Sequence, residues 1–368
     1  MATAAAKRLR PSSKGMTTVV AAAALSVATT ATKISAAPLR VVLDTDIGTD
    51  FDDAWALMYL LARPDVFDVA LVQVSTFNTT QRAQIAASMI AAVGRAADVP
   101  IAVGEYTGPQ LEPQYWVAAN YTLDDYVAAG GRVSWGVGAF EALVADATPD
   151  NPLYILEIAP ATSLAAVLAA NPAGAASCVV VAMSGSVTRG YFNSTTITHE
   201  YNVATDIPAS VAMYAANWAA PMLTAPLDTT DFMQFGGATY AALLAANNSA
   251  HTYVSTLLAN YVAWYEGGGS KFAAMLPFSP TTGTDTLYDL QAAWMLPQYA
   301  AAVAAGGGAP SIPLLATPSY HLAVNATGYT VPNASAPLAY VATAFTQPPY
   351  TAVDSIGAEV IAYLIAAG

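Results

Sequence analysis

The spacing of apolar positions changes along this chain in a regular way. Short runs rich in Val, Ile and Leu at Leu39–Leu43, Val69–Val74, Ile101–Val103, Leu153–Ile158 and Cys178–Ala182 predict strands. Among and after them, Asp52–Ala62, Gln81–Gly94, Ser163–Ala170 and Ile207–Trp218 carry apolar residues at the spacing of a helix face. Parallel strands need crossover helices, so this alternation predicts an α/β fold: a mostly parallel open sheet with helices on both faces. Two stretches interrupt the pattern. Gly104–Trp135 is rich in Pro, Gln, Tyr and Asp, and Ser184–Thr198 in Gly, Asn, Ser and Thr, so both predict long loops of the kind that wall a pocket. Beyond Leu296 the chain turns Gly- and Pro-rich before a last helical pattern at Ser355–Ala367. No repeat or linker divides it, and one domain is expected over residues 38–368.

The first 37 residues follow a different rule. Lys7, Arg8, Arg10 and Lys14 precede an apolar stretch from Met16 to Thr32, and small residues follow at Ser35, Ala36 and Ala37. That is the layout of a secretory signal peptide, which predicts a secreted, extracellular protein; an organellar transit peptide is the alternative. No other apolar run is long enough to demand a membrane span. A chain beginning near Pro38 keeps seven of the twelve basic residues and all 25 acidic ones, a formal balance near −18. Such a surface repels nucleic acid backbones and anionic membranes, leaving a small molecule as the expected partner and homo-oligomers open. Cys178 lies in an apolar run and is expected in the core, so no disulfide framework exists within the chain. Sequons at Asn78, Asn120, Asn193, Asn247, Asn325 and Asn333 permit glycosylation on a eukaryotic secretory route.

Charged residues make up only 10% of the chain, yet Asp44, Asp46, Asp50, Asp52 and Asp53 fall within ten positions at the exit of the first strand. Strand geometry places Asp44 and Asp46 on one side, Gly48 allows a tight turn, and Asp52 and Asp53 enter the first turn of the next helix. Helix capping accounts for one or two of these acids. The others point to a divalent cation, and their hard oxygen donors favour calcium or magnesium over zinc.

Asp44-Thr45-Asp46-Ile47-Gly48, followed by Asp52-Asp53-Ala54 and Ala56-Leu57, resembles the opening signature of the inosine-uridine type nucleoside hydrolases. Further landmarks follow in the same order. Ser75-Thr76-Phe77-Asn78 is similar to the family's segment with a ribose-contacting Asn, and Ile158-Ala159-Pro160-Ala161-Thr162-Ser163-Leu164 to its Gly-Pro-Leu-Thr-Asn-Leu segment. Met183-Ser184-Gly185, Glu200-Tyr201-Asn202, Asp206 and Leu287-Tyr288-Asp289 match its later landmarks, so the resemblance spans about Arg40 to Trp294.

The resemblance implies a Rossmann-like nucleoside hydrolase fold and calcium-dependent hydrolysis of a ribonucleoside to free base and ribose. It implies metal ligands at Asp46, Asp52, Asp53, Asp289 and the Thr162 carbonyl, with magnesium the lesser alternative. Asp46, and Asp44 as a second candidate, would take a proton from water. Asn78, Glu200 and Asn202 would hold the sugar, with Asn193 a weaker candidate. There are two departures. Thr49-Asp50-Phe51 lengthens the turn, so Asp50 can replace Asp52 as a ligand, and Tyr288 stands where some members carry a leaving-group histidine. A phenol is a poorer acid at neutral pH.

Of the three histidines, His199 beside Glu200 can reach substrate, while His251 and His321 are expected to be structural or on the surface. Among aromatics, Trp55, Tyr191, Phe192, Trp264 and Trp294 are candidates to stack a base, with at most one or two expected in the pocket. Two other functions stay open: a haloacid dehalogenase-type phosphatase, whose nucleophile motif Leu43-Asp44-Thr45-Asp46 also resembles, and a secreted non-catalytic binding protein of the same fold.

Overall fold

The first strand, β1 (Leu39–Thr45), is apolar on both sides because it lies in the middle of the sheet. Val41 and Leu43 point into one core, and Val42 between them into the other. The computed structural model describes residues 37–109, 113–274, 277–306 and 308–368, so all of the expected leader except Ala37 lies outside the described residues. Residues Ala37–Gly368 pack as one compact unit.

The other parallel strands are β2 (Phe67–Val74), β3 (Ile101–Val103), β4 (Val133–Trp135), β5 (Leu153–Glu157), β6 (Cys178–Met183) and β7 (Met222–Ala225). A two-residue strand, β8 (Leu315–Ala316), precedes β9 (Ser319–Val324), β10 (Thr330–Pro332), β11 (Leu338–Val341) and the short β12 (Ala344–Phe345). Ten of these form one sheet in the order β10-β9-β11-β7-β6-β5-β1-β2-β3-β4. It is parallel from β4 through β11, and β9 runs antiparallel to both β11 and β10. The mostly parallel open sheet is therefore as the pattern predicts.

Strand order reverses at β1, whose neighbours are β2 on one side and β5 on the other. Connections leaving such a point diverge to opposite faces and open a crevice beyond the carboxyl ends of the strands. Helix α1 (Asp52–Leu61) starts in that crevice, and all ten of its residues are buried. It packs against the long helix Tyr288–Ala304, which brings the chain's late acids to its early ones.

Three expectations change. Gly104–Trp135 is not all loop: it holds the helices Tyr115–Asn120 and Leu123–Ala128 and strand β4. Thr122 and Asp125 form a capping box at the start of the second helix, a signal legible in the sequence. The Gly/Pro-rich tail also contains β9 to β11, whose half-exposed residues mix polar and apolar positions. The pattern from Ser355 begins earlier, in a helix spanning Pro349–Ala366. Ser184–Thr198 remains a loop, with only a bridge between Gly190 and Ser194. Among the described residues no helix is long and apolar enough to cross a membrane.

Candidate active site

Gly48, at φ 122°, turns the chain out of β1 toward α1, in a conformation that a side chain would strain. Thr45 Oγ1 then donates to the Asp53 carboxylate, and the Asp53 amide donates to Asp52 Oδ1 at 3.1 Å. From the first turn of helix Tyr288–Ala304, the Asp289 amide approaches Asp52 Oδ2 at 3.4 Å. Asp52, Asp53 and Asp289 each offer a carboxylate oxygen within 4.8 Å of the others, and all three are buried.

Burial holds each of these three carboxyls well above the ordinary carboxylate range, and the neighbouring acids add to the effect. Asp50, Asp285 and Asp46 repel Asp52; Asp46 and Asp52 repel Asp53. Three acids so placed ionise together only with a positive charge among them. An all-oxygen, all-carboxylate donor set fits a hard divalent cation.

A side chain that sequence reasoning missed supplies part of the positive charge. Arg82 lies in the first turns of helix α2 (Thr79–Ala92), almost wholly buried, with its guanidinium 3.7 Å from Asp46. It also donates to the carbonyls of Thr76 (3.0 Å) and Ile47 (3.1 Å) and to Thr49 Oγ1. Arg82 thus ties the loop after β2, where Thr76 and Phe77 have positive φ, to the turn after β1. It is 36 residues from Asp46 in sequence, and only the scarcity of basic residues hinted at it.

Above these acids lies a cavity of about 510 Å³. Asp46, Asp52, Asp53 and Asp289 form its floor, and Tyr191, Phe192, Tyr201, Phe272, Phe278 and Tyr288 contribute aromatic walls. Glu200 and Asn202 line it as well. Glu200 caps the helix Tyr201–Thr205, accepting from the amides of Asn202 (2.6 Å), Val203 (3.0 Å) and Gly185 (3.0 Å). Burial outweighs these three donors and pushes its carboxyl up to about 7. Asn202 is fixed by donating Nδ2 to the carbonyls of Ile158 (3.2 Å) and Met183 (3.1 Å).

A switch-point cavity with an acidic floor, a fixed Glu–Asn pair and aromatic walls is suited to a polyhydroxylated sugar bearing a planar group. A family model for inosine-uridine preferring nucleoside hydrolases matches residues 41–348. The chain belongs to this family. Among solved structures it is similar to a purine-preferring ribonucleoside hydrolase from Gardnerella vaginalis, at 17% identity and TM-score 0.62, covering 88% of this chain and 99% of that one. A plant nucleoside hydrolase matches at 16% identity and TM-score 0.63 over 88% and 99% of the two chains. An inosine-guanosine nucleoside hydrolase matches at 16% and 0.64 over 89% and 98%. A search of curated proteins finds no match. The family excludes the phosphatase alternative and makes this chain an N-ribohydrolase enzyme.

The structure of this nucleoside hydrolase separates the residues expected at its site. Asp46, Asp52, Asp53, Glu200, Asn202, Tyr288 and Asp289 line the cavity together, and Asp50 and His199 join them. Asp44 does not. It is buried between Gln73 and Glu157 on the neighbouring strands, and Ser75 Oγ, itself paired with Ser163, donates to it at 2.5 Å. Burial raises Asp44 to about 7 and Glu157 well above the usual range, so this carboxyl pair retains a proton behind the cavity floor.

Asn78 also is not among the lining residues: its Oδ1 accepts from the Gln81 amide at 3.3 Å and caps α2. Asn193 Oδ1 accepts from Arg189 at 2.6 Å, outside the cavity lining. Thr162 turns its hydroxyl to Asp206 at 2.8 Å, and the residue of that segment lining the cavity is Ile158, four positions earlier.

Of the five candidate stacking aromatics, Tyr191 and Phe192 line the cavity, whereas Trp55, Trp264 and Trp294 are core residues. His251 and His321 contact backbone carbonyls of Ile365 and Ala336. Tyr288 packs edge-on to Tyr191, and burial raises its phenol further from neutrality, so it stays protonated beside Asp231. Asp285, Phe272 and Phe278 line the cavity without having been singled out. Asp285 offered one sequence signal, an acid four residues before Asp289 in an acid-poor chain.

Proposed function

We propose that this enzyme hydrolyses the N-glycosidic bond of ribonucleosides to free base and ribose, using calcium. The observation that carries the reading is the convergence of Asp52, Asp53 and Asp289 at the floor of a cavity that Glu200 and Asn202 also line. These three carboxylates, with Asp46 beside them, would hold the ion; magnesium is the lesser candidate. Such an ion grips vicinal hydroxyls and lowers the pKa of bound water.

The chain's own residues do the rest. Asp46, held in place by Arg82, takes the proton of the attacking water. Glu200 and Asn202 bind sugar hydroxyls, their orientation fixed by the backbone groups they engage. As the glycosidic bond stretches, positive charge builds on the sugar, and the surrounding carboxylates stabilise it. Tyr288, kept protonated, would turn its single phenolic proton from Asp231 to the leaving base rather than titrate itself.

The test incubates protein lacking the leader with calcium, a panel of ribo- and deoxyribonucleosides and a phosphate monoester, and identifies the products. Free base with ribose is expected. Absence of turnover on every nucleoside with calcium bound would leave a binding protein of this fold. The basic-then-apolar leader supports a secreted enzyme, checked by finding a processed chain outside the cell.

A further inference from the structure

The short helix Leu227–Thr230 follows β7 and ends at Asp231, so Asp228 and Asp231 lie three residues apart. Residues at that spacing fall on one face of a helix. Both carboxyls engage the loop Ser184–Thr198. Asp228 accepts from the amides of Val187 (2.9 Å) and Thr188 (2.7 Å). Asp231 accepts from the Phe192 amide at Oδ1 (3.2 Å) and from the Asn193 amide at Oδ2 (2.6 Å). One helix thus pins the loop near its start and again at its tip.

The tip needs its pin. Phe192 and Asn193 have φ of 59° and 54°, a region that residues with side chains seldom take, and such backbone persists only where its surroundings enforce it. Phe192 is 57% exposed, so burial of its ring does not hold the turn. Asp231 is itself buried and does not line the cavity, yet it contacts two residues that do, Phe192 and Tyr288.

The Tyr288 hydroxyl reaches Asp231 Oδ1 at 3.5 Å. Its ring packs edge-on against Tyr191, the residue before the tip, with centroids 6.0 Å apart. Tyr191 is fixed in turn: its amide donates to Thr198 Oγ1, and its hydroxyl accepts from the Tyr201 amide at 3.0 Å. Asp231 therefore reaches the phenol twice, directly at its oxygen and through the tip that seats Tyr191 against it. The two amides lie closer to the carboxyl than the phenol does. A contact as long as 3.5 Å sets the place of the hydroxyl without tying down its proton.

On the reading that Tyr288 serves the leaving base, we propose that Asp231 is the positioning residue for that step: it clamps the loop tip and holds the Tyr288 hydroxyl where its proton can turn to the base. Its partners are two backbone amides and a phenol, none of them an acid of the cavity floor. Asp231 acts through Tyr288 and not on the substrate.

The experiment is a double-substitution cycle read on two leaving groups. A nucleoside releases a base that profits from a hydrogen bond, whereas p-nitrophenyl riboside releases an anion that leaves without one. Asp231→Ala is expected to lower kcat on the best-used nucleoside by about tenfold or more, and by a clearly smaller factor on p-nitrophenyl riboside. In a Tyr288→Phe background the same substitution should cost less than about threefold, because the group it serves is gone. If circular dichroism shows that Asp231→Ala does not fold, Asp231→Asn carries the same cycle, since it keeps the volume but leaves one of the two amides without an acceptor. Equal losses on both leaving groups, the same factor in both backgrounds, or an unchanged kcat each overturn the positioning role and leave nucleoside hydrolysis standing. Normal kcat in Tyr288→Phe overturns it too, by removing the step that Asp231 serves. Absence of turnover on any nucleoside by the unaltered enzyme overturns both readings together.

Discussion

At the scale of single residues, the site divides groups that react from groups that hold. Asp46 faces the cavity and is tied to Arg82, so Asp46→Asn should lower kcat by roughly a hundredfold or more while the fold is retained, as for loss of a positioned general base. Steady-state kinetics and circular dichroism on the same sample check this, and near-normal kcat with ion bound would assign the base elsewhere. Asp289→Asn should act differently. It removes one of three converging carboxylates, so ion affinity falls and excess calcium partly restores turnover.

The raised carboxyls also set a pH dependence with a definite sign. Glu200, Asp52, Asp53 and Asp289 hold their protons more tightly when folded than when unfolded. The native state therefore binds more protons between about pH 4 and the raised values, and stability falls as pH rises through that window. For Glu200 that window closes at about 7. Chelated protein should thus melt at a lower temperature at pH 8 than at pH 5. Calcium, which binds the ionised acids, should stabilise increasingly as pH rises. Thermal melts at both pH values, with and without chelator, decide the matter. A chelated protein that gained stability from pH 5 to pH 8 would contradict the assignment.

At the scale of elements, legibility followed sequence distance. The acids at the exit of β1 were legible because they lie within ten residues, and β1, β2, β5 and β6 because parallel strands buried on both faces are continuous apolar runs. Strands β9 to β11 lie toward one edge of the sheet, and their mixed burial leaves no clean alternation to find. Arg82, Asp285 and Ile158 reach the site only through tertiary packing, which no local period encodes. At Asn78 a local rule is visible: a motif position expected to touch ribose caps a helix through its Oδ1. Asn78→Ala should therefore cost about 1 kcal/mol of stability, the usual loss for an N-cap, with kcat/KM changed less than about threefold. Denaturant midpoints and kinetics measured together test it; a loss of a hundredfold or more in kcat/KM at unchanged stability would return Asn78 to the sugar.

At the scale of the whole molecule, the ten-stranded sheet begins at Leu39, so removal of a leader ending near Ala37 leaves every described strand complete. A chain following that route should show a new N-terminus close to Pro38. Asn120, Asn247 and Asn333 are exposed and can accept glycans, whereas Asn78 is partly buried and engaged at a helix start. Peptide mapping of protein passed through a eukaryotic secretory route should find glycans on the first three and none on Asn78.

The position of β1 at the reversal of strand order also bears on synthesis. It is the first strand to be made, yet its partner β5 begins more than a hundred residues later. Until then the edge Val41–Asp44, with its apolar run Val41–Leu43, has nothing to pair with. A nascent chain of that length presents a sticky ribbon that must be kept from its neighbours, and pairings this distant in sequence form slowly. Fragments ending before Leu153 should aggregate. The carboxylates of the site, carried on the turn and the helix that follow that strand, would then serve a second purpose as the charged flank that keeps the unfinished chain in solution.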